Sequence, residues 1–108
     1  MQIKEQIKEV LKEVKKEKPI TGKQIIRQLE IKEDPRKFGA KLRNLINQLR
    51  NDGFPVCASG KGYYYPQNLA ELKDYLDKFK GRIMKQHEAY NGMLNTYQGK
   101  FDQAKNNK

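Results

Sequence analysis

Two groups of side chains in this sequence have types that do chemistry. One is a lone cysteine and a lone histidine, and the other is a set of cations and amides at helical spacing. Cys57 and His87 are the only residues of their kinds, too few for a tetrahedral zinc site or an internal disulfide. Cys57 lies between Val56 and Ala58 in a stretch that reads as a strand, and a small half-buried side chain is expected there. His87 sits between Gln86 and Glu88 with no serine or carboxylate arrangement that would make a base and nucleophile. Ser59-Gly60-Lys61-Gly62 has the composition of a phosphate loop but lacks its spacing and the helix that should follow the lysine. No catalytic residue, no metal and no cofactor is expected. Tyr63, Tyr64 and Tyr65 would make a base-stacking platform only if they shared a face, and in a strand Tyr64 points away from the other two.

The cations and amides form a pattern. Between Asp34 and Gly53, Phe38, Leu42, Leu45, Ile46 and Leu49 recur at helical spacing. Arg36, Lys37, Ala40, Asn44, Asn47 and Asn51 fall opposite, flanked by Lys41, Arg43, Gln48 and Arg50. Amides and guanidinium groups are the side chains that read base edges. Asn44 suits the N6 and N7 of adenine, and Arg43 or Lys41 suits guanine or phosphate. Arg36, Lys37, Ala40, Lys41, Arg43, Asn44, Asn47 and Gln48 are therefore the candidate recognition residues. Ser59, Gly60, Lys61 and Gly62 are the candidates on the turn beyond, with Lys61 aimed at phosphate or the minor groove.

The elements that must position these residues are legible in order. Ile3, Ile7, Val10, Leu11 and Val14 make one face of a first helix over Ile3–Glu17, which Lys18-Pro19 ends. Thr21 and Gln24 have the spacing of a capping box, with Ile20 and Ile25 as its hydrophobic staple, so a second helix is expected over Gly22–Glu30. Asp34 and Pro35 open the third, and Gly53 ends it, with Phe54 folding back onto Leu49. Pro55–Ala58 and Tyr63–Tyr65 read as two short strands around a glycine-rich turn.

Asn68 and Glu71 start a fourth helix. Leu69, Leu76, Ile83, Tyr90 and Tyr97 occupy one heptad position in it, and Leu72, Phe79, Gln86 and Met93 the other. This helix is longer than a small domain needs, so a homodimer is expected, with Leu76, Phe79, Ile83, Tyr90, Met93 and Tyr97 at its interface. Gly81, Gly92 and Gly99 weigh against a continuous helix, each costing about 1 kcal/mol. Three regions follow: 1–66 as a folded domain, 67–102 as the long helix and 103–108 as a disordered polar tail.

Charge points to the same place. The 108 residues carry a net charge of +10, of which residues 35–62 hold +5, with six cations against Asp52 alone. Residues 19–34 are neutral. A polyanion is the expected partner, and double-stranded nucleic acid is the commonest one. No apolar run approaches the ~18 residues of a membrane span, and Met1 leads directly into Lys and Glu. A cytoplasmic location is expected.

Ile20 to Pro66 resembles the winged helix-turn-helix found at the N-terminus of biotin repressors and in small phage and mobile-element DNA-binding proteins of Gram-positive bacteria. Ile20-Thr21-Gly22, the run from Leu42 to Arg50, Gly53-Phe54-Pro55-Val56 and Gly60-Lys61-Gly62-Tyr63-Tyr64 carry the likeness, which covers 47 of 108 residues. It implies a mainly helical fold with a small hairpin wing, here followed by a long C-terminal helix. It also implies sequence-selective duplex DNA binding in transcription regulation or at a replication origin, in a bacterial or phage-infected cell. No biotin-ligase domain follows, so no enzyme activity is implied. The connection between second and third helices is longer than in the family. Either the third helix gains a basic N-terminal extension, or Asp34–Phe38 forms a separate loop. The alternative function is a protein-interaction adaptor, with the winged domain as scaffold and the fourth helix as partner surface.

Overall fold

The computed structural model describes the backbone of residues 2–106 and the side chains of residues 2–99. Its elements are α1 (Ile3–Lys12), α2 (Gly22–Gln28), α3 (Pro35–Asn51), β1 (Cys57–Ser59), β2 (Gly62–Tyr64) and α4 (Leu69–Asn106). The chain is mainly helical, with one two-stranded antiparallel hairpin and a long C-terminal helix. It divides into two compact units, one reaching to Leu72 and the other beginning at Lys73.

The core of the first unit gathers one stripe from each helix. Ile7 and Leu11 of α1, Ile25 and Ile26 of α2, and Phe38, Leu42, Ile46 and Leu49 of α3 are buried together with Phe54 and Val56. Each such side chain removed from water contributes about 1.5–3 kcal/mol.

Local signals fix the ends of α3. The Asp34 carboxylate accepts the Arg36 N–H at 3.0 Å, and Pro35 occupies the first helical position. At the other end Gly53 has φ 94°. Its N–H donates to the Arg50 carbonyl at 3.0 Å while the Phe54 N–H donates to the Leu49 carbonyl at 2.9 Å. This pair of bonds is a Schellman ending, which favours glycine because a Cβ is disfavoured at positive φ. Arg50, half-buried, adds a bond from its Nε to the Val56 carbonyl at 2.8 Å. Its guanidinium therefore ties the helix to the strand that follows.

The capping box of α2 is present in both directions, Gln24 N–H to the Thr21 hydroxyl at 3.1 Å and Thr21 N–H to the Gln24 side chain at 2.9 Å. The helix ends two residues before the expected Glu30. Glu30 itself takes φ 55°, with the Ile31 N–H donating to the Ile26 carbonyl at 3.1 Å and its own N–H to the Arg27 carbonyl at 3.1 Å. This is the same ending as that of α3, built on a residue that bears a Cβ.

The largest departure is α1, which stops at Lys12 rather than Glu17. The chain beyond it is claimed by the hairpin. The Val14 carbonyl accepts the Tyr65 N–H at 2.9 Å, and Ile20 exchanges both backbone bonds with Tyr63, at 2.9 and 2.7 Å. Pairing of β1 with β2 runs Cys57 to Tyr64, Ala58 to Tyr63 and Ser59 to Gly62, so β2 lies between β1 and this Ile20 bridge. Gly62 has φ 142°, and a Cβ there would stand 2.5 Å from the Ile20 carbonyl oxygen.

α4 is capped by Asn68, whose side-chain oxygen accepts the Glu71 N–H at 2.8 Å. It continues through Gly81, Gly92 and Gly99 and past position 103, where the polar tail was expected, to Asn106. Residues 107 and 108 lie outside the described residues. Within the second unit, Lys78 pairs with Asp74 at 3.1 Å and Lys73 with Asp77 at 3.4 Å. The Tyr75 and Phe79 rings stand 5.8 Å apart, each near the Arg82 guanidinium.

Candidate nucleic-acid interface

Burying the apolar stripe of α3 obliges its opposite rows to face water. All eight candidates on it, Arg36, Lys37, Ala40, Lys41, Arg43, Asn44, Asn47 and Gln48, are exposed. The 17 residues of the helix make a rod of about 25 Å. The longer connection takes one of the two forms open to it. Leu29–Asp34 is the link between the helices, and Arg36 and Lys37 stand in the first turn of α3.

The eight are not equivalent. Lys41 Nζ lies 3.6 Å from the Glu33 carboxylate and 5.6 Å from the centre of the Phe38 ring, so part of its charge is already answered. Arg43 reaches back along the helix, and its Nη1 is the nearest atom to the missing Cβ of Gly39, at 3.9 Å. Asp52, the only acid in the basic segment, sits past the C-terminal end of α3 and pairs with Lys4 at 2.9 Å. The N-terminal two-thirds of the exposed face therefore carries cations with no acid of its own.

At the hairpin tip Ser59, Gly60 and Lys61 are exposed. The Ser59 hydroxyl accepts the Lys61 N–H at 3.2 Å, so both groups are used in closing the turn, and the Lys61 ammonium is the group left to meet a ligand. Gly62 is half-buried against Ile20, and its requirement for glycine is structural. Tyr64 is buried, and Tyr65 leans on Phe54 with ring centres 5.2 Å apart. The three tyrosines therefore form no stacking surface.

What joins the helix to the hairpin is the start of α2. A groove of about 450 Å³ is lined by Thr21, Gly22, Lys23, Arg36, Arg43 and Tyr63 among others, and a second of about 310 Å³ runs from Thr21 and Gly22 to Ser59, Lys61 and Tyr63. Lys23 is exposed and is the functional candidate that sequence reasoning missed. Its segment is electrically neutral overall. The signal available was its place one residue inside the capped end of α2, the end directed at the other elements.

Cys57 is fully buried rather than half-buried, and burial pushes its thiol up from the ordinary value, against the opposing influence of Arg50. His87 is exposed on α4, with its Nε2 3.1 Å from the Asn91 side-chain nitrogen. Among the described residues no three His, Cys, Asp or Glu side chains are grouped to hold a metal ion, and no helix is long and apolar enough to cross a membrane. Comparison with protein-family models, with curated proteins and with solved structures finds no match for this chain.

Proposed function

We propose that this protein is a winged helix-turn-helix reader of double-stranded DNA, in which α2 braces α3 and the β1–β2 hairpin is the wing. The observation that carries the reading is the continuity of one surface. The cation-and-amide face of α3 adjoins the Lys61 tip across Thr21, Gly22 and Lys23, with no acid on α2 or at the tip. The major groove, about 12 Å wide, admits a helix with its side chains. In this reading α3 enters it, Asn44 bridges the adenine edge, and Arg36 and Arg43 meet guanine or phosphate. Lys41 exchanges Glu33 for a DNA partner. Lys23 and Lys61 take phosphates on either side, and such contacts supply position and affinity while the few base contacts supply selectivity. The biological setting that fits a small reader of this kind is a phage or mobile-element regulator of transcription, or an origin binder.

Selection of the purified protein on a random duplex library at physiological salt, with sequencing of the retained fraction, tests the reading. An enriched motif is expected. Asn44→Ala should blur one position of that motif. Lys61→Ala should weaken all sequences alike and reduce the salt slope by about 0.9. Retention without any enriched motif would refute sequence reading.

A further inference from the structure

We infer that the exposed apolar row of α4 is covered by a second copy of the same helix running antiparallel. Tyr90, Met93 and Tyr97 are 61%, 75% and 68% exposed, and Leu76, Ile83 and Met84 are about half exposed. Phe79, Ile83, Gln86, Tyr90, Met93 and Tyr97 follow one another at alternating spacings of four and three, the seam of a two-helix coiled coil. The three glycines lie off this seam.

The seam pairs with a copy of itself, and charge selects the direction. Lys78 to His87 holds four cations and no acid, and among the described residues only Lys78 has a carboxylate partner, Asp74 at 3.1 Å. The next stretch, Ala89 to Gly99, holds no charged residue at all. A parallel pair would set each cationic stretch beside its own copy. An antiparallel pair centred on Glu88 sets the cationic stretch of each helix against the uncharged stretch of the other. The seam then stacks Phe79 on Tyr97, Ile83 on Met93 and Gln86 on Tyr90, each taken twice. Lys80 and Arg82 lie beside Leu94 and Thr96 of the opposite copy. A Tyr90 hydroxyl is then available to the Gln86 amide, the one amide in the seam.

Covering Tyr90, Met93, Tyr97 and Ile83, with a smaller share from the partly buried Phe79, removes on the order of several hundred Å² per copy, toward the lower end of the range for specific interfaces. This inference is independent of the DNA reading, and its test contains no DNA.

Sedimentation of the full chain at micromolar concentration is expected to give twice the 12.7 kDa of one chain. Met93→Lys should weaken the dimer by about tenfold or more with its helical circular dichroism retained. Direction is read from chains that each carry one added cysteine. When Phe79→Cys and Tyr97→Cys proteins are mixed in a thiol–disulfide buffer, the mixed disulfide should exceed either self-linked product. Cys57 is buried and stays out of the exchange. A single-chain mass at all micromolar concentrations overturns the dimer, including the case where another protein is captured by the monomer. Predominant self-linking of Phe79→Cys overturns the antiparallel arrangement.

Discussion

The apolar stripes of α3 and α4 come to opposite ends. On α3 the stripe is covered, with Phe38, Leu42, Ile46 and Leu49 at most 2% exposed and Leu45 partly buried. On α4, Ile83, Tyr90, Met93 and Tyr97 are half to three-quarters exposed over a helix more than twice as long. Both helices have an apolar repeat, more sharply defined in α3 than in α4. Supply differs as well. α3 is met by α1, α2 and the residues after Gly53, whereas within the second unit α4 has no other secondary-structure element beside it. An amphipathic repeat thus predicts a helix, and the chain available to cover it decides whether its stripe is core or stays exposed.

The comparison breaks first if the two stripes respond alike to truncation. Phe38→Ala should cost about 3–5 kcal/mol, while Ile83→Ala should change the stability of the isolated chain by less than about 0.5 kcal/mol. Denaturant unfolding at a dilution where chains are single measures both. Gly62→Ala comes next, since the new Cβ meets a backbone oxygen at positive φ. A loss of about 2–4 kcal/mol is expected from overpacking and the conformational penalty together, and wild-type stability would place the hairpin elsewhere.

Smaller changes sharpen the contrast by raising stability in each unit separately. Gly92→Ala should strengthen α4 by about 1 kcal/mol, read as increased helical circular dichroism, because nothing stands within 4 Å of the new methyl group. Glu30→Gly should stabilise the first unit by up to about 1 kcal/mol by relieving the left-handed backbone at φ 55°. The smallest effect concerns pH. Cys57 is held neutral by burial, so its folded pKa lies above its unfolded one. Its contribution to stability is complete below the ordinary thiol value of 9.0 and is lost as pH rises through the raised one. Cys57→Ala should flatten the fall of the unfolding midpoint above about pH 9.

The sequence made legible those features that are set within a few residues. Asp34 and Pro35, the Thr21–Gln24 box, Gly53 with Phe54, and Asn68 each fix an end by local hydrogen bonds, and all are found where they were expected. The exposed cation-and-amide face of α3 follows from the same periodicity that buries its stripe. What was not legible depends on partners distant in the chain. α1 stops at Lys12 because Val14 and Ile20 pair with Tyr65 and Tyr63, far along the chain, and no composition signal marks that pairing. α2 stops at Gln28 and turns away at Glu30, where nothing but the closing bonds selects a left-handed residue. Lys23 was hidden for a similar reason, since the groove it lines is shared with Arg36, Arg43 and Tyr63, which are distant in the chain.

The central claim is that the basic surface of the first unit, and not charge in general, contacts DNA. Removing two cations from each region compares them directly: Arg36→Ala with Arg43→Ala on α3, against Lys80→Ala with Lys85→Ala on α4. Binding of a labelled duplex by fluorescence anisotropy across a series of salt concentrations is the measurement. The account predicts that the slope of log affinity against log salt falls by about 1.8 for the α3 pair and stays at the wild-type value for the α4 pair. Equal losses for the two pairs, or a loss confined to the α4 pair, would contradict it.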